Sequence, residues 1–348
     1  MIRFSECVSP GHPDKTADFI SEYILDRYLE KDPNTRYAVE VQVKDNIVTL
    51  GGEVSSKASF SRDTLCKYVR EAVASIGYTK EYRDRWGSDN TICSDNLVVN
   101  SIIGQQSPDI AQGVDNDGWG DQGIFFGMAV YGGDPKDEMM PHDFAVARRL
   151  NRELYNSDLG GLDIKTQVSM DGDNIKRVIC AIPLLTKDAK TNVEEFIRAR
   201  IPGEYELIVN GTGEYLRHSS IADCGTTGRK LAVDFYGGNC NIGGGSPWTK
   251  DGSKADLALN LYARKLAKKA ALDFGKTCYT SLACCIGKED VDYCIRKADG
   301  VIINEGTMRV SQSRLIQELG LDKPIYESLC DYGLFGEFQK DKAWEKVD

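Results

Sequence analysis

The chain of 348 residues carries a net charge of −10, with 41% hydrophobic and 28% charged residues. This length and composition are typical of a globular protein of two or three domains and exclude a disordered or fibrous chain. The acidic balance argues against nucleic-acid binding, which normally requires a basic face, and no apolar run approaches the roughly 18–20 residues that span a bilayer.

The eleven cysteines raise the question of disulfides or a metal site. Their number is odd, no two have C-x-x-C spacing, and Cys180, Cys284 and Cys285 fall within apolar, strand-like runs. The first residues also lack the basic-then-apolar pattern of a secretory signal. We therefore predict reduced, mostly buried thiols in a cytoplasmic protein.

The first hundred residues alternate between helical and strand patterns. Apolar residues at three- and four-residue spacing predict helices over 17–29 and from Leu65 to Ile76. Between them, residues 37–44 alternate as in a half-buried strand, and a turn over 44–46 leads to a partner strand over 47–50.

A similar order of elements recurs twice along the chain. The second copy has a hairpin over 164–182 with an Asp-Gly-Asp turn, followed by a helix around Val193. The third copy has a strand over 231–236, a helix over about 253–274 and a strand over 278–286. Hairpins and helices in this alternation predict an α+β fold of three comparable units.

A long segment rich in glycine, aspartate and asparagine, residues 104–123, separates the first two units. A loop of this length and polarity is either a mobile functional lid or a simple linker. Its composition is compatible with both roles.

Residues 11–15, Gly-His-Pro-Asp-Lys, come just before the first predicted helix. Proline suits the first turn of a helix, and a helix N-terminus attracts anions. His12 and Lys15 could contact phosphate oxygens while Asp14 holds a hard cation such as Mg²⁺. The alternative is that Asp14 only complements the helix dipole.

Residues 223–230, Asp-Cys-Gly-Thr-Thr-Gly-Arg-Lys, combine a turn framed by two glycines with adjacent cations. Glycine lets the backbone approach a ligand closely. In an acidic protein, such a concentration of cations indicates an anion site.

Residues 243–256 pair a triple glycine with Lys250, Lys254 and Asp256 at the opening of a helix. Ser253 and Asp256 also satisfy a capping-box-like pattern, which is the structural alternative. Capping requires neither the triple glycine nor the lysines, so a functional role is favoured.

Two common nucleotide signatures do not fit. Gly275-Lys276-Thr277 resembles the end of a phosphate loop, but Ala270 stands where the first glycine is required, and the tripeptide ends a helix. No G-x-G-x-x-G follows a predicted strand. These patterns argue against a P-loop kinase and a nicotinamide-dependent dehydrogenase.

In their order and approximate spacing, these segments resemble the S-adenosylmethionine synthetase family, and the resemblance covers essentially the whole chain. The matching motifs are GHPDK at 11–15, GGE at 51–53, QSPDI at 106–110, GDQG at 120–123, DCGTTGRK at 223–230, GGG at 243–245, YGLFG at 332–336 and WEK at 344–346.

The resemblance implies a fold of three interleaved α/β units with pseudo-threefold symmetry. The N-terminal unit would span 1–104, the central unit 118–221 and the C-terminal unit 222–348, with 105–117 as a mobile gate loop. It also implies a homodimer, or possibly a homotetramer, in which two subunits pack their sheets face to face with active sites at the interface.

The reaction implied is that of a methionine adenosyltransferase. The methionine sulfur attacks C5′ of ATP, and the displaced triphosphate is hydrolysed to phosphate and diphosphate. The matching catalytic positions are His12, Lys15, Asp223, Arg229, Lys230 and Lys250. Those implied for ATP are His12, Asp163, Lys165, Tyr215, Leu216, Asp223, Arg229, Lys230, Ser246 and Lys250.

The resemblance also implies sites for methionine and for metal ions. The methionine positions are Glu53, Gln106, Asp121, Asp223, Lys254 and Ile286. Two Mg²⁺ ions per site would be held by Asp14 and Asp256, and K⁺ by Glu40.

The chain departs from the family pattern at several places. Ile242 replaces a histidine, Ser246-Pro247 replaces Ala-Phe, and His218-Ser219-Ser220 replaces Gly-Gly-Pro. The segment between Gln106 and Asp121 is shorter than usual. The alternatives are an impaired regulatory homologue or a different ATP-dependent transferase, but every catalytic cation is present, which favours a working synthetase.

Overall fold

The computed structural model of the chain describes residues 2–104 and 117–347. Gln106 and the predicted gate loop, except for Asp117, lie outside the described residues. The strands are β1 (Ile2–Val8), β2 (Arg36–Lys44), β3 (Ile47–Ser55), β4 (Val98–Gly104), β5 (Gly123–Ala129), β6 (Lys165–Asp171), β7 (Asn174–Ala181), β8 (Glu206–Val209), β9 (Gly225–Thr226), β10 (Cys278–Cys284), β11 (Asp290–Lys297) and β12 (Ile302–Arg309).

Helices alternate with these strands along the chain. They are α1 (Pro13–Leu29), α2 (Arg62–Ile76), α3 (Lys80–Trp86), α4 (His142–Tyr155), α5 (Ala189–Arg200), α6 (Ser219–Ala222), α7 (Leu231–Asp234), α8 (Ala255–Phe274), α9 (Gln312–Leu319) and α10 (Tyr326–Leu329).

The strands form three four-stranded sheets, in the orders β1-β6-β7-β8, β4-β3-β2-β9 and β12-β11-β10-β5. Each sheet takes a strand from a distant part of the chain. β1 pairs with β6, β5 with β10, and β9 with β2, all antiparallel. The predicted α+β architecture of three interleaved units is confirmed, and because the units exchange strands, they fold as one body.

One predicted element is wrong. Residues 231–236 form the short helix α7 rather than a strand, and the amides of Val233 and Asp234 donate to the carbonyl of Lys230. The segment is apolar because Val233, Phe235 and Tyr236 are all buried. Periodicity alone cannot distinguish a buried helical turn from a buried strand in so short a run.

The first helix is buried on both of its faces. Ala17, Ile20 and Ile24 pack into the core, as their spacing predicts, but Asp14, Asp18, Glu22 and Asp26 on the polar side are at most 2% exposed. A buried carboxylate requires hydrogen-bond partners, because the alternative is a large desolvation penalty. The polar side of α1 therefore faces other parts of the protein instead of water.

All eleven cysteines are free thiols, and six of them are buried. Over residues 2–104 and 117–347, no helix is both long enough and apolar enough to cross a membrane.

Candidate active site

His12 caps the N-terminus of α1 at the edge of a cleft. Its Nδ1 atom accepts a hydrogen bond of 3.1 Å from the amide of Asp14, so the ring proton resides on Nε2. Burial, reinforced by the nearby ammonium groups of Lys165 and Lys230, lowers the pKa of His12 to about 3. The imidazole is thus neutral at physiological pH and offers an N–H donor.

The cleft beside His12 has a volume of about 400 Å³, within the range of small-molecule sites. Ile179, Ala181 and Ile208 contribute apolar side chains to its lining. The predicted ATP residues in the lining are His12, Asp163, Lys165, Tyr215 and Asp223. Leu216 instead lines an adjoining cavity of about 420 Å³ that shares Tyr215.

Asp163 is a buried acid in this lining. Its Oδ2 atom accepts the amide of Ser219 at 3.1 Å, and its carbonyl accepts the hydroxyl of Tyr215 at 3.1 Å. Its Oδ1 atom has no hydrogen-bond partner among the described residues. Burial raises the pKa of Asp163 to about 6, and an acceptor left open at the wall of a cleft suits a ligand that donates hydrogen bonds.

Asp14 is the buried centre of a charged cluster. Its carboxylate accepts a 2.5 Å bond from the ammonium of Lys230 and a 2.9 Å bond from the amide of Thr226, and the guanidinium of Arg229 lies 3.8 Å away. Burial alone would raise the pKa of Asp14, but the bonds from Lys230 and Thr226 outweigh it and lower the pKa. The group is therefore anionic.

Glu40 joins the two glycine-rich loops. Its carboxylate accepts hydrogen bonds from the hydroxyls of Thr227, in the 223–230 loop, and Thr249, at 3.0 Å for the second. The two loops also touch directly, since a Cβ atom on Gly228 would lie 2.9 Å from Oγ of Ser246. The cations of both loops consequently belong to one site.

Lys250 and Asp256 form a second lysine–carboxylate pair, with 2.5 Å between Nζ and Oδ2. The triple-glycine loop folds onto this pair, because a Cβ atom on Gly245 would lie 2.0 Å from the Asp256 carboxyl group. The capping box does not form: Lys254 is the N-cap residue of α8 and makes no side-chain cap bond. The Asp256 side chain therefore contacts the triple-glycine loop and Lys250 instead of forming the capping box.

The residues predicted for methionine lie on neighbouring elements. The thiol of Cys284 donates to the carbonyl of Asp121 at 3.4 Å, and burial together with the charges of Asp121 and Asp256 raises the pKa of Cys284 to about 12. Ile286 pairs with Trp119, two residues before Asp121 in the chain. These positions border the Lys250–Asp256 pair.

Glu53 reaches the same region through the β4-β3-β2-β9 sheet. It is opposite Ala38 in the β2–β3 ladder, and Ala38 also bridges to Lys250. Asp223 is exposed in the lining of the cleft beside His12, and its carboxylate accepts the amide of Cys224 at 2.8 Å.

Lys15 differs from the other predicted cations because its side chain points into the interior. Its ammonium lies 2.6 Å from Asp234 and 3.0 Å from Asp18, and it sits 4.2 Å above the ring of Trp248. Only 3% of its side chain is exposed. The structure thus places Lys15 behind the loops that carry Lys230 and Lys250.

Asp14 and Asp256 fit Mg²⁺ as single carboxylate ligands. Mg²⁺ usually takes one or two protein carboxylates and completes its shell with phosphate oxygens and water. Over residues 2–104 and 117–347, no group of three or more histidine, cysteine or acidic side chains forms a metal cage. The carboxylate of Glu40, with the two threonine hydroxyls on it, offers an all-oxygen setting that suits K⁺.

Sequence reasoning missed residues that hold the site from behind. Asp18 and Glu22 accept backbone amides of the two glycine-rich loops, and Asp234 accepts the indole N–H of Trp248 at 2.7 Å. A signal was available in the spacing of Asp14, Asp18 and Glu22, which places an acid at every fourth residue of one helix.

Comparisons with known proteins identify the family of the chain. The N-terminal domain of S-adenosylmethionine synthetases matches residues 1–108, and the C-terminal domain of the same enzymes matches residues 218–346. A solved structure, described as an unusual S-adenosylmethionine synthetase from Campylobacter jejuni, is 31% identical with a TM-score of 0.88 and aligns over 100% of this chain and 97% of that chain. The chain belongs to the S-adenosylmethionine synthetase family.

Proposed function

We propose that this protein synthesises S-adenosylmethionine from ATP and L-methionine. The observation that carries the proposal is a nucleoside-sized cleft that adjoins four cations, Lys165, Arg229, Lys230 and Lys250. His12 and Lys165 line the cleft, and Arg229, Lys230 and Lys250 stand on the two joined loops. A triphosphate that extends from an adenosine in the cleft would meet these cations.

The main chemical task is stabilisation of the leaving group. Attack of the methionine sulfur on C5′ forms the S–C5′ bond and breaks the C5′–O bond, so the triphosphate departs with about four negative charges. Lys230 and Lys250, each 22% exposed and paired with a carboxylate, have only to turn from that carboxylate to receive it. The neutral His12 adds an N–H donor.

The nucleophile needs no base, since a thioether sulfur carries no proton and attacks as a neutral atom. This agrees with the neutral state of His12, whose pKa is lowered to about 3 by burial and neighbouring cations. The residues of the site therefore orient the two substrates and neutralise charge.

Mg²⁺ held by Asp14 and Asp256 would neutralise phosphate charge. For Asp14, this means that Lys230 must share the carboxylate or turn toward the phosphates. Likewise, Lys250 must share the carboxylate of Asp256 or turn toward the phosphates. Both ammonium groups are then available to bind the triphosphate and its hydrolysis products.

We further propose a homodimer formed through the sheets. Each sheet exposes apolar side chains that alternate with buried ones, among them Phe4 at 61%, Ile102 at 73% and Ile124 at 55% exposure. In the proposed dimer these side chains form one contiguous apolar face, which is the kind of surface that a partner covers. A second copy of the chain would cover them and place residues of both copies around the site.

Product analysis tests the reaction. The purified chain would be incubated with ATP, L-methionine, Mg²⁺ and K⁺, with a parallel sample lacking methionine. We expect S-adenosylmethionine, phosphate and diphosphate in the complete mixture. Formation of ADP would instead indicate a phosphotransferase, and tight ATP binding without turnover would indicate an impaired homologue.

A further inference from the structure

Helix α1 carries four acidic side chains spaced one turn apart, Asp14, Asp18, Glu22 and Asp26, all at most 2% exposed. Residues four apart in a helix lie on one face. This acidic row, as we call these four residues, forms a buried line along α1 that begins at the cleft.

Each member of the acidic row accepts backbone amides from a segment distant in the chain. Asp14 accepts Thr226 at 2.9 Å, Asp18 accepts Gly228 at 2.8 Å, and Glu22 accepts Thr249 at 2.6 Å. Asp26 accepts Tyr326 and Glu327, both at 2.9 Å.

The amides held by Asp18 and Glu22 sit at special points of the glycine-rich loops. Gly228 has a φ of 73° and Thr249 a φ of 72°. A threonine at positive φ is strained and persists only where its surroundings hold it. Each of these two residues immediately precedes a cation of the proposed site, Arg229 in one loop and Lys250 in the other.

Glu22 is the strongest hold on Thr249. Its Oε1 atom takes the amide of Thr249, while Oε2 has no hydrogen-bond partner among the described residues. The hydroxyl of Thr249 donates to Glu40 at 3.0 Å, so the residue is fixed from two directions. Because Thr249 is fixed, the backbone position of the next residue, Lys250, is fixed as well.

We infer that Glu22 and Asp18 are positioning residues, which set the two cation-bearing loops at the spacing that a triphosphate requires. They act through backbone amides and touch neither substrate. Helix α1 thereby sets the distance between the two loops. Asp18 fixes the 223–230 loop, and Glu22, one helical turn later, fixes Thr249. This inference rests on the proposed function.

The acidic row contains its own control. Asp26 has the same burial and the same type of backbone bond as Glu22, but it holds the amides of α10 and neither of the two residues that precede Arg229 and Lys250. A purely structural role of the row predicts that Glu22 and Asp26 variants behave alike. A positioning role predicts that only Glu22 variants lose function beyond their loss of stability.

The test compares Glu22→Leu, Glu22→Gln and Asp26→Leu in the full chain, at a temperature where circular dichroism shows each variant folded. Two quantities are measured: kcat for S-adenosylmethionine formation, and affinity for inorganic triphosphate with Mg²⁺ by titration calorimetry. Glu22→Ala, which leaves room for water at the Thr249 amide, replaces Glu22→Leu if the latter does not fold.

We expect Glu22→Leu to lower kcat by about 100-fold, the order of loss that a displacement of about 1 Å produces, and to weaken triphosphate binding. Glu22→Gln keeps an acceptor and should restore most of both. Asp26→Leu should lower Tm with kcat within about twofold of the wild-type value, since its amides lie outside the site.

Equal kcat losses in the Glu22 and Asp26 variants, or an unchanged kcat in Glu22→Leu, would overturn the positioning role. A wild-type chain that binds triphosphate but makes no S-adenosylmethionine would contradict the proposed function instead. In that case, loss of triphosphate binding in Glu22→Leu alone would still support the positioning of the loops.

Discussion

At the scale of single residues, the site is built from lysines and carboxylates in direct contact. Lys230 pairs with Asp14 and Lys250 with Asp256, each at 2.5 Å. In the proposed reaction, each ammonium has only to turn from its carboxylate to stabilise the phosphate charge that develops beside it. The charge of each lysine therefore matters more for the reaction than for folding.

Lys250→Ala should lower kcat by about 100-fold or more, the loss typical of removing one preorganised charge-stabilising group. The fold should survive, because Lys250 is 22% exposed and such pairs contribute about 1 kcal/mol or less. Lys265→Ala is the matched control: Lys265 pairs with Glu318 at 2.8 Å and is 25% exposed. Equal activity in the two variants would remove Lys250 from the site.

His218, one of the departures from the family pattern, gives a prediction on pH. It is fully buried, with Nε2 at 2.7 Å from the hydroxyl of Tyr82 and Nδ1 at 2.7 Å from the carbonyl of Leu216. Burial lowers its pKa to about 4. The unfolded chain binds this proton below about pH 6.5 and the native state does not, so stability is lost as the pH falls.

Between pH 7 and pH 5, this effect amounts to about 2 kcal/mol, so wild type should lose that much more stability than His218→Gln in urea titrations. His142→Gln provides a contrast of opposite sign, because the hydrogen bond to Asp137 raises the pKa of His142. Identical pH slopes in wild type and His218→Gln would contradict the neutral, buried state of His218.

At the scale of elements, α8 carries both Asp256, an acid of the proposed site, and a buried ion cluster. Near its first turn, Asp256 meets the triple-glycine loop. Further along, Arg264 and Lys268 bind Glu345 at 2.9 and 2.8 Å, all three almost fully buried. This cluster ties the segment after α10 to the helix that presents Asp256.

Glu345→Ala should lower the free energy of unfolding by about 3–5 kcal/mol, because it leaves two buried cations unpaired. Glu318→Ala, which removes an exposed partner of Lys265 on the same helix, should cost about 1 kcal/mol or less. Denaturant titration of both variants measures the difference. A similar loss of unfolding free energy in both variants would show that the buried cluster around Glu345 stabilises the fold no more than the exposed pair does.

At the scale of the whole molecule, the three sheets leave apolar side chains uncovered, and the proposed homodimer follows from them. Ile102→Lys places a charge where 73% of the side chain is exposed on β4. In a dimer that position is desolvated, so the variant should shift sedimentation toward the monomer. Leu272→Lys, at a 48% exposed apolar position on α8, should sediment like the wild type.

The sequence alone determined the local elements and the family. The 3.6-residue spacing in α1 and the alternation in β2 predict the bounds of these elements to within a few residues. Pro13 begins the helix, as its fixed φ favours. Motifs in family order then identified the family, because charged loops and glycine turns keep their spacing along the chain.

Only the tertiary structure decided which polar residues face each other. Asp18 meets Gly228 and Glu22 meets Thr249 across more than 200 residues of chain, and no local pattern encodes such a distance. The same limit explains why Lys15, next to Asp14 in sequence, is buried against Asp234. Helical periodicity assigns a side chain to a face, but burial of that face depends on what packs against it.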